Sequence, residues 1–185
     1  MEKKDNSTNI IRIVLYGPES TGKTTLAIDL ANHYSTSWVP EFARNYLQEK
    51  WDLYQKKCSK DDLLIIAKKQ LELENQRLMK ANKILFCDTN VLVTQLWSEV
   101  YFDGYCHPKI LNMVTKSNYD LYLFTDIDVP WEVDDLRDMP HQRDKLYRYH
   151  QKLLDFYGFE YLKIQGNPRE RLDRAVSYID KRFGL

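Results

Sequence analysis

Apolar residues occur in short unbroken runs separated by stretches with helical spacing. Ile10–Tyr16 reads IIRIVLY, nearly continuous and rich in β-branched residues, as expected of a parallel strand buried on both faces. Lys83–Cys87 (KILFC), Tyr119–Thr125 (YDLYLFT) and Phe159–Gln165 read the same way, and Ser35–Pro40 is a shorter candidate. After the first run, Leu26, Ala27, Leu30 and Ala31 recur at helical spacing and predict a helix over Lys23–Tyr34. A second helix is predicted over Glu41–Lys50, stopping around Trp51–Cys58. A third begins at Ser59, whose neighbours Asp61 and Asp62 suit a helix start, and runs towards Lys80. Further helices are expected over Thr89–Tyr101, Pro108–Lys116 and Arg143–Tyr157, the last closed by Gly158, and another starts near Pro168.

Strands alternating with helices define an α/β chain, with a parallel five-stranded sheet carrying helices on both faces. One section breaks the rhythm. Residues 126–142 carry the densest charge in the chain, bracketed by Pro130 and Pro140. They are too polar for core and too long for a minimal connection, which predicts a helical lid over about 126–145. The 185 residues suit one domain, 10–185, after a polar tail at 1–9 that is expected to be disordered.

Composition narrows the function classes. Basic and acidic residues balance at 27 each, so no overall charge draws the chain to nucleic acid or an anionic membrane. No apolar run is long enough to span a bilayer, and Met1–Asn9, polar and charged, carries no apolar core of the kind a signal peptide needs. Cys58, Cys87 and Cys106 are odd in number and widely spaced, so a reducing cytoplasm is the expected compartment. The scattered histidines do not have the spacing of a zinc site. The oligomeric state stays open.

Gly17-Pro18-Glu19-Ser20-Thr21-Gly22-Lys23-Thr24 matches GxxxxGK(S/T) at every fixed position and lies between a predicted strand and a predicted helix. Gly17 and Gly22 let the backbone turn its N–H groups inward, so that Ser20, Thr21, Gly22, Lys23, Thr24 and Thr25 surround phosphate oxygens at a helix start. Lys23 is placed to reach the β- and γ-phosphates of ATP, and the Thr24 hydroxyl to ligate Mg²⁺. Hydrolysis and phosphoryl transfer share such a loop.

Acidic groups close the candidate strands, where ligands of such sheets gather. Asp88 follows ILFC in the manner of a Walker B aspartate, to hold Mg²⁺ or serve catalysis; its structural alternative is a cap for the helix at Thr89. Glu41 follows VP beside the phosphate loop, placed to orient and deprotonate an acceptor hydroxyl; its alternative is a first-turn helix charge. Asp126 and Asp128 are lid turn residues or substrate contacts. Arg137 and Arg143 lie in the lid, where closure would carry them over the phosphates as stabilising cations. Arg44, one turn from Glu41, pairs with it or touches substrate. Trp97 and Tyr101 share a helix face and Trp131 sits in the lid; these three are the candidates to stack on a planar or cationic acceptor.

Taken together, GPESTGKTTLA, VPEFAR (39–44), FCDTN with the following threonine and tryptophan (86–97), and TDIDVPWEVDDLRD (125–138) resemble one family. It is the ribosylnicotinamide kinase domain of the bacterial NadR proteins, within the AAA-like, nucleoside-kinase-like P-loop group, and the resemblance runs over roughly residues 10–183. It implies ATP-dependent phosphorylation of the 5′-hydroxyl of nicotinamide riboside to nicotinamide mononucleotide, in NAD salvage. It also implies stacking of Trp97, Tyr101 or Trp131 on the nicotinamide ring, and Glu41 and Asp88 near the ribose and the transferring phosphate. GNPRER (166–171), with Arg169, resembles the loop that packs on adenine. The full NadR proteins carry an adenylyltransferase domain before the kinase, and some also a DNA-binding one. With nine residues ahead of the first strand, this chain is expected to lack both and to stop at the mononucleotide. Asn90 departs from the acidic residue of many relatives. A kinase for another nucleoside or small metabolite, and a regulatory NTPase switch, are the alternatives.

Overall fold

The computed structural model describes residues 10–137 and 139–185. The tail expected to be disordered, 1–9, and Asp138 of the expected lid lie outside the described residues. In chain order the elements are β1 (Ile11–Tyr16), α1 (Lys23–His33), β2 (Trp38–Val39), α2 (Phe42–Tyr54), α3 (Lys60–Leu78), β3 (Ile84–Asp88), α4 (Val91–Tyr101), α5 (Pro108–Lys116), β4 (Leu121–Thr125), α6 (Arg143–Tyr157), β5 (Tyr161–Ile164) and α7 (Pro168–Phe183).

The strands form one parallel sheet in the order β2-β3-β1-β4-β5. The unbroken apolar runs reflect a core on each side. Val14, Tyr16, Leu85, Cys87, Tyr122 and Phe124 face α3, α4, α5 and α6. The alternate residues Ile13, Leu15, Ile84, Phe86, Leu121 and Leu123 face α1 and α7. Every one of these side chains is buried, so both faces of the central strands lose their contact with water. Among the described residues no helix is long and apolar enough to cross a membrane.

Local chemistry sets the element ends. Ser59 and Asp62 form a reciprocal capping box at the start of α3, and Asn167 and Glu170 form another at α7. Gly158 closes α6 in the left-handed region at φ 67°. Three expectations are corrected. The second helix does not stop at Lys50 but runs to Tyr54, because no breaker intervenes; Gln55 ends it at φ 51° with its N–H on the Trp51 carbonyl. The helix expected from Thr89 starts at Val91, since Thr89 lies at φ 69° and the Asn90 side chain accepts the Leu92 N–H. The lid expected to be helical over 126–145 becomes helical only at Pro140, with a short 3₁₀ turn leading into α6. Before it, side chains take the backbone N–H groups a helix would use: Asp126 takes Ile127, Ser20 takes Glu132 and Asp134 takes Leu136.

Candidate active site

Parallel strands end together, and here their carboxyl ends carry the chemistry. Leu15 pairs with Asp88 and Tyr16 with Phe124, so the loop after β1 emerges between the end of β3 and the end of β4. Val39 pairs with Cys87, which puts Glu41 at the same edge. A cleft of about 850 Å³ opens there, lined by Gly17, Ser20–Thr25, Glu41, Arg44, Asp88, Trp97, Tyr101 and Arg137 among others.

The phosphate loop is held by backbone geometry. Gly17 lies at φ 144°, and a Cβ there would stand 2.6 Å from Thr125 Oγ1 and 2.8 Å from the Thr125 carbonyl oxygen, so only glycine fits. Gly22 precedes α1 in the left-handed region and offers no side-chain cap. The N–H groups at that helix start are those of an anion site. Lys23 Nζ donates to the Pro18 carbonyl at 2.6 Å, across the loop. Thr24 Oγ1 donates to Asp88 Oδ2 at 2.5 Å, while Asp88 Oδ1 is buried with no hydrogen-bond partner among the described residues. Asp88 is therefore a cleft carboxylate, and Asn90 does the capping that was its structural alternative.

Burial drives the electrostatics. It pushes the Asp88 carboxyl upward, opposed by Lys23 and the Thr24 hydroxyl. Glu41 is pushed up to about 7, first by burial and then by the Asp88 charge, against Lys23, Arg44 and Arg137. The Lys23 ammonium is pushed down by burial, with Glu41 and Asp88 opposing. Two carboxylates and one ammonium thus sit together in the cleft, the carboxyls pushed up and the ammonium pushed down.

The loop between β4 and α6 covers the phosphate side. Ser20 Oγ accepts the Glu132 N–H at 2.8 Å and donates to the Pro130 carbonyl at 3.3 Å. Arg143 Nη1 donates to the Val129 carbonyl at 3.0 Å and Nη2 to the Ser20 carbonyl at 3.2 Å, with its guanidinium 5.6 Å from the Trp131 ring centre. Arg143 thus clamps the covering loop onto the phosphate loop. Trp131 packs on Arg143, and neither is among the cleft-lining residues. Arg137 does line the cleft, held by Asp134 at 2.8 Å and the Glu132 carbonyl at 2.9 Å. Arg44 also lines it, and Asp134, rather than Glu41, is its ion-pair partner, at 2.9 Å. Asp126 and Asp128 are not among the cleft-lining residues: Tyr147 bonds the first at 3.5 Å, and the Gly166 N–H bonds the second at 2.6 Å. Arg169 lies outside the cleft with its side chain 90% exposed, 3.7 Å from Asp173.

Two residues were not singled out from the sequence. Arg171, at the end of the GNPRER segment, is 3% exposed. It donates to the Thr21 carbonyl at 2.5 Å, the Gly166 carbonyl at 2.8 Å and the Asp126 carbonyl at 3.3 Å, and is ion-paired with Asp128. Nothing local to the sequence separates it from Arg169. The other is Trp51. Arg44, Leu47 and Trp51 recur at i, i+3 and i+7, the spacing of one helix face, and all three line the cleft. That periodicity was readable once α2 is carried past Lys50. Across the cleft, Trp97 and Tyr101 stack on each other with ring centres 5.1 Å apart and planes 20° apart, beside Val93, Thr94 and Phe102.

A parallel sheet in this order, a glycine-bounded phosphate loop after its central strand and carboxylates at its carboxyl edge define a P-loop protein with the nucleoside-kinase-like fold. The AAA domain family matches residues 12–171, and the chain belongs to that family. Within it, the chain is similar to the NadR proteins. The trifunctional NAD biosynthesis/regulator protein NadR of Escherichia coli strain K12 is 25% identical over 175 residues, covering 93% of this chain and 42% of that protein. NadR of Salmonella typhimurium is 28% identical over 133 residues, covering 72% and 32%. The chain spans less than half the length of these curated relatives. A crystal structure of NadR in complex with NR superposes with a TM-score of 0.81 at 21% identity, over 95% of this chain and 52% of that one. A structure of deoxyadenosine kinase from M. mycoides superposes with a TM-score of 0.65 at 12% identity, over 92% of this chain and 100% of that one. The resemblance to the NadR kinase domain read from the sequence is borne out.

Proposed function

We propose that the chain is a kinase that transfers the γ-phosphoryl group of ATP to the 5′-hydroxyl of nicotinamide riboside, giving nicotinamide mononucleotide. The observation that carries this reading is the convergence, in one cleft, of the phosphate loop, the Glu41/Asp88 carboxylates and the Trp97–Tyr101 aromatic wall. Its kinship with NadR, one structure of which is a complex with NR, supports the choice of acceptor. Residues 10–185 act as one kinase unit, with about 126–145 as its lid.

In this reading the loop backbone from Gly17 to Thr25 and the Lys23 ammonium hold the ATP phosphates. The partnerless, buried Asp88 Oδ1 beside the Thr24 hydroxyl fits a hard divalent cation such as Mg²⁺. No cluster of three or more His, Cys, Asp or Glu suited to a metal occurs among the described residues, which suits an ion that draws most of its shell from phosphate and water. When bound, Mg²⁺ neutralises charge on the phosphates. The acceptor O5′ attacks the γ-phosphorus, the bond to the β–γ bridging oxygen breaks, and the hydroxyl proton passes to a carboxylate. Glu41 is the first candidate to receive it and Asp88 the second. Little base strength is required in a loose transition state, so placement and charge do most of the work. Arg137 faces the transferring group, whereas Arg143 acts by holding the lid on the Ser20 carbonyl. The pyridinium of nicotinamide riboside is a cation, and the Trp97–Tyr101 wall offers it aromatic surface, with Trp51 and Arg44 lining the cleft from α2.

The aromatic wall accepts other planar bases too, which keeps a kinase for another nucleoside as the second reading. The test is ADP formation from MgATP with and without nicotinamide riboside. Strong stimulation accompanied by a product one phosphate heavier supports the reading. ADP formation indifferent to every nucleoside contradicts it and favours a nucleotide switch.

A further inference from the structure

Asp134 has no part in the phosphoryl transfer described above, yet it joins α2 to the loop that covers the phosphate side. Its Oδ1 accepts a hydrogen bond from Arg44 Nη1 at 3.0 Å and its Oδ2 is ion-paired with Arg44 Nη2 at 2.9 Å, so both carboxylate oxygens meet the same guanidinium of α2. The same Oδ2 is ion-paired with Arg137 Nε at 2.8 Å, and the Leu136 N–H donates to Oδ1 at 2.9 Å. Arg137 Nη1 is fixed in turn on the Glu132 carbonyl at 2.9 Å, and Glu132 is the residue whose N–H rests on Ser20 of the phosphate loop. Gln48 of α2 reaches Asp135 at 3.3 Å beside this join. Burial alone would raise the Asp134 carboxyl, but Arg44, the Leu136 N–H and Arg137 outweigh it and hold it below its ordinary value. It therefore stays ionised at neutral pH.

Arg44 and Arg137 line the cleft with Lys23, Glu41 and Asp88. The Arg44–Asp134 and Arg137–Asp134 pairs have side chains 22–39% exposed. Half-exposed pairs of this kind contribute little to global stability. Their geometry does more: one carboxylate fixes how the lid meets α2 and which way Arg137 points. We infer that Asp134 is a positioning residue for phosphoryl transfer, clasping Arg44 and Arg137 together so that lid closure and the aim of Arg137 are set by a single group. This rests on the kinase reading above.

The test compares wild type, Asp134→Asn, Arg137→Ala and the double variant in steady-state turnover with nicotinamide riboside, together with amide exchange over 129–137. Asp134→Asn keeps the shape and removes the charge. It is expected to lower kcat about tenfold or more while changing the KM for ATP by less than about threefold, because misplacement by an ångström is enough to slow transfer. The double variant is expected to be no slower than the slower single variant by more than about threefold, as for groups that act as one unit. The Glu132 and Leu136 amides are expected to exchange faster in Asp134→Asn, with the melting temperature nearly unchanged. Asp134→Asn turnover within twofold of wild type, losses that multiply in the double variant, or unchanged exchange would each overturn the inference. The exchange arm needs no acceptor. A wild-type chain that phosphorylates nothing fails the kinase reading, and exchange then decides the clasp by itself.

Discussion

Glu41 is where burial and a like charge act in the same direction, the Asp88 carboxylate adding to desolvation to bring its pKa to about 7. A base must be ionised to accept a proton, so kcat/KM is expected to rise with pH through that region. Glu41→Gln is expected to lose this acid limb together with about 10²–10⁴-fold of kcat. A pH–rate profile of the two proteins checks it. The stability effect has the opposite sign. A carboxyl whose pKa is raised by folding favours the protonated native state, so this contribution is present below the ordinary carboxylate range and is lost as pH rises towards and through about 7. Glu41→Gln is therefore expected to melt higher than wild type at pH 8, with the gap narrowing at pH 5. Lys23 poses a simpler case. Its ammonium spans the loop to Pro18 and in the proposed mechanism reaches the phosphates. Lys23→Ala is expected to lower kcat by about 10³-fold or more with a near-native melting curve; turnover at the wild-type rate would sink the phosphotransfer role of this loop.

Arg171 matters at the scale of elements. From α7 it bonds the Thr21 carbonyl of the phosphate loop, the Gly166 carbonyl after β5 and the Asp126 carbonyl after β4, and pairs with Asp128. Removing a buried cation leaves these acceptors unpartnered, so Arg171→Met is expected to cost roughly 3 kcal/mol or more, read by chemical denaturation, and to weaken ATP binding. Arg169→Met, at an exposed position two residues away, should do neither. This contrast also shows where sequence reading ends. The four long strands were legible because short, unbroken, β-branched apolar runs suit little besides strands buried on both faces, and Ser59 marked the start of α3 as Pro168 did that of α7. Arg169 and Arg171 share a local sequence context, and only the packing of α7 against the loop edge distinguishes them. The reach of α2 to Tyr54 was hidden because none of its residues is buried, so the stretch after Lys50 adds no core position to mark the helix as continuing. The lid's irregular course depends on side chains taking backbone N–H groups, partly across a separation of 112 residues from Glu132 to Ser20, which no local pattern records.

Over the whole molecule, the sheet order brings four sequence-distant segments to one edge: the phosphate loop, VPE, the end of β3 and the lid. The phosphate loop announced itself by its spacing, and Asp88 and Glu41 by their positions after predicted strands. The aromatic lining of the cleft was legible only as a pair, Trp97 and Tyr101, because Trp51 lies beyond the end that the sequence predicts for α2. Trp131, by contrast, packs on Arg143 instead of lining the cleft, since the lid folds back on the phosphate loop there. Passage of phosphate from this cleft to nicotinamide riboside is tested by comparing acceptors side by side. The quantity is kcat/KM with MgATP for nicotinamide riboside beside uridine, cytidine, thymidine and deoxyadenosine under one set of conditions. A preference for nicotinamide riboside of about 100-fold or more is expected, the scale of discrimination by a cation-fitting aromatic site over neutral bases. Equal or better turnover of a neutral nucleoside would contradict nicotinamide riboside as the acceptor.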